Sequence, residues 1–155
     1  MNEHAPLKHG EFSIKRRIKA PRELVYRAWT GIEHRKHWFV GPGNWQPIER
    51  SVDLKVGGKE IAHGRMEDGT ETLYTARFHL IIPNAQLIYA FDMHVAGKHF
   101  SVSLAGVEFE DGPAGTVMTY TEQAFYLNKD YGNEGRIEGT HGLLDQFTTY
   151  LDSIV

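Results

Sequence analysis

The sequence predicts an α+β fold: one curved antiparallel β-sheet wrapped around a long C-terminal α-helix, with two short helices after the first strand. Three observations carry this prediction. First, apolar or near-apolar residues recur as Ile137, Thr140, Leu144, Phe147, Leu151 and Ile154, the spacing of one helical face. Second, turn signals at Gly57-Gly58, Asp68-Gly69, Pro83-Asn84, Ala96-Gly97 and Asp111-Gly112-Pro113 divide Ile48–Leu127 into segments of strand character. Connections this short join antiparallel neighbours and leave no room for helical crossovers. Third, 155 residues fit one domain, and a sheet curled around a single long helix buries the apolar side of both.

In chain order, residues 1–10 hold His4, Pro6, Lys8 and Gly10 but no apolar run, and read as a short mobile lead-in to a domain spanning 11–155. Phe12, Ile14 and Ile18 alternate with charged residues up to Lys19, the pattern of a strand. Pro21 suits the first turn of a helix, and Leu24, Val25, Ala28 and Trp29 then share one helical face. Thr30 and Glu33 have capping-box spacing, which predicts a second helix from Gly31 to about Trp38. Phe39–Pro47, with Gly41, Pro42, Gly43 and Trp45, is a loop rich in turn residues and aromatics. Strand follows strand to Leu127, a glycine-rich joint spans Tyr131–Gly135, and the closing helix completes the chain.

Bulk properties exclude several classes. A net charge of -3 opposes sequence-independent nucleic-acid binding, which needs a basic excess. The cluster Lys15, Arg16, Arg17 and Lys19 reads as a solvated strand face. There is no stretch of about 18 apolar residues to span a membrane. With no cysteine there is no disulfide, thiolate nucleophile or zinc–sulfur site, and a cytoplasmic address is the default. No motif calls for a cofactor or a metal. His34 and His37 are three apart but lack a third ligand, Asp92 and His94 lack a nucleophile, and Val56-Gly57-Gly58-Lys59 lacks phosphate-loop spacing.

The closing helix points to a cavity. It carries Gly135, Gly139 and Gly142, each costing about 1 kcal/mol relative to alanine in a helix interior. Gly139 leaves a side chain missing one turn before Leu143, so the helix is pinned at its far end and emptied at its near end. Strand alternation then gives the lining. Met118, Tyr120 and Glu122 should face inward, as should Glu60, Ala62, Gly64 and Met66, with the small Ala62 and Gly64 leaving space. Thr72, Tyr74, Ala76, Phe78, Leu80 and Ile82 form a third inward face. The strand from Leu87 is ambiguous between Tyr89-Phe91-Met93 and Ile88-Ala90-Asp92-His94. Two carboxylates aimed into an apolar cup are the sharpest chemical feature, because an isolated buried carboxylate is costly and tends toward its protonated form. Arg136 lies where it can pair with either. Trp38, Phe39 and Trp45 either fill the core edge or roof the cavity. The candidate ligand-binding set is therefore Trp38, Phe39, Trp45, Glu60, Tyr74, Phe78, Tyr89, Met118, Tyr120, Glu122, Arg136 and Thr140.

The run Ala20-Pro21-Arg22-Glu23-Leu24-Val25-Tyr26-Arg27-Ala28-Trp29 resembles the N-terminal signature of the START-like (SRPBCC) superfamily, and within it the branch related to the activator of Hsp90 ATPase. Trp38-Phe39, Val56-Gly57-Gly58, Ile82-Pro83 ahead of Leu87-Ile88-Tyr89, Gly115-Thr116, and Leu144-Asp145 with Tyr150-Leu151 extend the resemblance in order over about residues 12–155. Many relatives carry Gly-Trp where this chain has Gly139-Thr140. The resemblance implies a helix-grip fold with an internal cavity, and members that mostly bind small apolar or amphipathic ligands, some being cyclases or hydrolases. The leading expectation is a binder of a small hydrophobic or amphipathic molecule. An enzyme of cyclase, hydrolase or isomerase type using an inward carboxylate, an Hsp90-type interaction module, and a closed core without ligand stay open, as does a homodimer.

Overall fold

The computed structural model describes residues 6–155. The chain runs β1 (Lys8–Ile18), α1 (Arg22–Thr30), α2 (Ile32–Trp38), β2 (Gln46–Val52), β3 (Lys59–Arg65), β4 (Glu71–Ile82), β5 (Gln86–Val95), β6 (Lys98–Gly112), β7 (Gly115–Tyr126) and α3 (Asn133–Ile154). All seven strands form one sheet in the order β1-β7-β6-β5-β4-β3-β2, and every neighbouring pair is antiparallel. Consecutive strands β2 to β7 pair through short turns, whereas β1 closes onto β7, from Lys8 opposite Tyr126 to Ile18 opposite Thr116. The concave face holds α3 and the two short helices, the helix-grip architecture that the sequence predicts.

The core lies between that face and the helices. Val25, Ala28 and Trp29 of α1, Trp38 of α2 and Leu144, Phe147 and Leu151 of α3 meet Tyr89, Val107, Phe109 and Met118 of the sheet. Trp29, Trp38 and Phe147 form an aromatic knot with ring centroids 4.6–5.1 Å apart, close enough for edge and offset contacts to add to area burial. No helix among the described residues is long and apolar enough to cross a membrane.

Five local expectations are corrected. Residues 1–5 of the expected lead-in lie outside the described residues, but Lys8, His9 and Gly10 belong to β1. Ladder hydrogen bonding to β7 continues there although the alternation of apolar side chains has stopped. The capping box does not form: α2 is capped by Gly31 with no side-chain bond, and the Thr30 hydroxyl donates back to Tyr26 O (2.8 Å). In β4 the inward face stops at Phe78. A register shift between Phe78 and Leu80 turns the strand over, as a bulge does, so that Ile81 packs on the core and Ile82 is exposed. Along α3 the buried stripe starts at Arg136 and ends at Leu151, leaving Ile137 half-buried and Ile154 exposed. The basic cluster of β1 is not wholly solvated either, since Arg16 reaches across to Asp145 (2.8 Å) and His141 on α3.

Candidate functional site

A cavity of about 320 Å³ separates α3 from the concave sheet, within the range of small-molecule sites. Its walls come from α1 and α2 (Trp29, Arg35), the loop after α2 (Phe39 to Pro42, Trp45), β3 to β7 and the first turns of α3. Of the expected ligand-binding residues, Phe39, Trp45, Tyr74, Tyr89, Tyr120, Glu122, Arg136 and Thr140 line it. The ambiguity in β5 resolves with Tyr89, Phe91 and Met93 inward. Trp38, Glu60, Phe78 and Met118 face inward but do not line it. Trp38 sits in the aromatic knot with Nε1 donating to Ala28 O (2.9 Å). Phe78 and Met118 are core.

At one end of the cavity, Glu122 of β7 is buried and paired with Arg136 of α3, Nη1 to Oε2 at 2.5 Å. The Tyr120 hydroxyl donates to Oε1 (2.6 Å) and Ser103 Oγ donates to Oε2 (2.9 Å). Arg136 also donates to Ser103 Oγ (3.1 Å), Ser101 Oγ (2.6 Å) and the Tyr131 hydroxyl (3.1 Å). Burial works against the Arg136 charge, and the Glu122 carboxylate with Tyr131 more than offsets it, holding the guanidinium above its ordinary range. Alternation on β6 places Ser101 and Ser103 inward beside Ala105 and Val107, so polar groups appear in an apolar row where the ion pair needs them.

At the other end, Glu60 pairs not with Arg136 but with Arg35 of α2, Nε to Oε2 at 2.5 Å. Arg35 Nη1 donates to Trp29 O (2.6 Å), and its guanidinium carbon lies 4.1 Å from the centre of the Phe39 ring. Burial lowers the Arg35 pKa, but Glu60 and the nearby Tyr74 and Tyr89 leave it raised overall. Arg35 was absent from the sequence-derived set. Its signal lay in spacing, three residues before Trp38 and four before Phe39, which puts it on the buried side of a two-turn helix.

Between these ends Tyr74 and Tyr89 present their rings, and burial, together with nearby charges that include the Glu60 carboxylate, raises both phenol pKa values. Burial likewise raises Tyr120, beside Glu122. The loop after α2 is fixed at Trp45, whose Nε1 donates to Thr72 Oγ1 (2.8 Å). The indole occupies the place a side chain at residue 64 would take, 2.0 Å from a Cβ built on Gly64. Gly64 therefore seats Trp45, contrary to the expectation that it leaves space. Gly139, by contrast, lines the cavity with nothing within 4 Å of an added Cβ.

The sequence matches, over residues 19–152, the family described as Activator of Hsp90 ATPase homolog 1-like protein. The chain belongs to this family. Among solved structures, an uncharacterized protein from Rhizobium leguminosarum is 36% identical, with 96% of this chain and 97% of that one covered and a TM-score of 0.89. A protein from Rhizobium loti is 29% identical over 94% of this chain and 99% of its own, with a TM-score of 0.85. An Aeromonas hydrophila protein of the same name as the family is 24% identical over 94% of both chains, TM-score 0.73, and shows the fold. No curated protein matches the sequence.

Within this member of the Hsp90-activator-like family, both oxygens of the cavity carboxylate Glu122 already accept hydrogen bonds. That arrangement suits orientation and rigidity more than proton abstraction from a ligand. His34 and His37 meet Tyr150 on α3, the first through a 2.6 Å hydrogen bond and the second by stacking. Asp92 pairs with His99 (2.9 Å) and not His94, which stacks on the same ring. Neither histidine group borders the cavity, and no cluster of three or more metal-ligating residues occurs among the described residues.

Proposed function

We propose that this protein binds a small hydrophobic or amphipathic molecule between the sheet and α3. The observation that supports this reading is the cavity itself: about 320 Å³, walled chiefly by aromatic and aliphatic side chains, with polar groups gathered at its two ends. Water in such a space gains few partners, whereas an apolar molecule recovers dispersion contacts with Trp29, Phe39, Tyr89, Phe91 and Leu143. The family and its START-like fold point the same way, toward ligand binding as the typical use of the grip.

The test is titration with N-phenyl-1-naphthylamine, an uncharged probe that brightens in apolar surroundings, combined with thermal melting. Saturable enhancement with one site per chain, and a melting temperature that climbs with probe concentration as linkage requires, are expected. Emission that rises without saturating, together with an unmoved melting temperature, would sink the proposal.

A further inference from the structure

The two ends of the cavity differ in charge balance. At the Glu122 end one carboxylate faces one guanidinium, and four donor–acceptor contacts occupy Arg136. At the Phe39 end two guanidinium groups, Arg35 and Arg50, stand near the single carboxylate of Glu60, which pairs with Arg35 alone. Arg50 belongs to β2, opposite Ala62 of β3, whose side chain lines the cavity. Its guanidinium carbon lies 5.8 Å from the Phe39 ring centre and 5.7 Å from that of Trp45, both cavity walls. Its Nε and Nη2 are buried, and no described residue accepts a hydrogen bond from either. Arg50 as a whole is half-buried and is not itself a wall of the cavity, but arginine keeps its charge, and donors buried without an acceptor are costly. Burial first, and the neighbouring Arg35 charge second, press its pKa down, which Glu60 only partly opposes. Two further donors converge here: Arg35, whose assigned bonds use only Nε and Nη1, and the Tyr74 hydroxyl, which bonds to no described residue.

Resting on the ligand-binding reading above, we infer that the Phe39 end is an anion subsite, and that the bound molecule is an amphipathic carboxylic acid. Its carboxylate faces Arg50 and Arg35 while its apolar body fills the aromatic cavity. One excess positive charge matches a monoanion. A planar carboxylate fits a guanidinium fork through paired charge-assisted hydrogen bonds, and the neutral Tyr74 phenol adds a donor. The Arg136 end, already balanced, offers no such complement and meets the apolar part or an uncharged oxygen.

The experiment is displacement of N-phenyl-1-naphthylamine by decanoate, decanol and methyl decanoate at pH 7.5. The wild-type protein is compared with the Arg50→Gln variant. Decanoate is expected to compete at roughly tenfold lower concentration than the two uncharged chains, the effect of a charge-assisted contact. In Arg50→Gln that preference should collapse while decanol competes as before. In the wild-type protein, decanoate but not decanol should shift the arginine side-chain Nε–H resonances in nitrogen-15 spectra, a readout that holds even if the variant folds poorly. Probe binding with equal or better competition by decanol overturns the carboxylate assignment alone. An undiminished preference in folded Arg50→Gln overturns the role of Arg50. Absence of probe binding in the wild type overturns the cavity reading and this inference with it.

Discussion

Gly139 lies inside α3, borders the cavity, and has no atom within 4 Å of an added Cβ. Replacing it with leucine should therefore raise stability and weaken binding together. The stability gain is the helix-propensity difference, about 0.8–1 kcal/mol, with no overpacking to subtract because the added side chain meets open space. For a domain of this size that corresponds to a melting temperature higher by about 2–4 °C. The same side chain occupies room a ligand would use beside Thr140 and Leu143, so affinity for N-phenyl-1-naphthylamine should fall by roughly tenfold, the loss of one well-buried apolar contact. Melting by circular dichroism without probe, then with saturating probe, reads both effects on one sample. A variant destabilised by 1–3 kcal/mol, the usual cost of overpacking, would refute the open space. A stabilised variant with unaltered probe affinity would refute the placement of the ligand.

Other substitutions and conditions test the remaining geometry. Glu122→Gln leaves Arg136 buried without its counter-charge and should cost about 3–5 kcal/mol in urea unfolding; adding Arg136→Met should recover part of that loss, and a cost under about 1 kcal/mol would contradict the pairing. Gly64→Ala pushes a methyl group into the Trp45 indole and should destabilise by about 1–3 kcal/mol with altered tryptophan emission, whereas wild-type melting and emission would show that Trp45 sits elsewhere. Tyr74, Tyr89 and Tyr120 have phenol pKa values raised by burial. Below about pH 10 they are neutral in both folded and unfolded chains; above it the unfolded chain releases protons the fold retains, so stability falls as pH rises. Their ultraviolet ionisation should coincide with alkaline unfolding, and reversible ionisation with the near-ultraviolet dichroism intact would refute their burial.

Much of this site is legible from period-two alternation, and its failures have local causes. Tyr120 and Glu122 were readable because β7 runs without interruption from Gly115 to Tyr126. The same rule failed beyond Phe78, where one bulge inverts the strand, and nothing in His79-Leu80 marks that inversion. Which cation neutralises Glu60 is a tertiary fact: the partner comes from α2, 25 residues earlier, on a helix too short for a strong periodic signal. Gly64 and Gly139 look alike in sequence. One is small because an indole lies on it, the other because nothing does.

The strand order also bears on how the chain acquires its shape. β1 and β2 are consecutive strands, yet they form opposite edges of the sheet, and β1 pairs with residues about a hundred positions later. Contacts so distant in sequence slow folding, because the chain must lose loop entropy before they form. Glu122 and Arg136 both belong to the last third of the sequence. During synthesis the first strand must wait, unpaired, until β7 has emerged, and the cavity has no closed end until α3 follows it. A ligand of the kind proposed above can therefore be enclosed only once α3 has been made, and its binding energy would then favour the docking of that helix.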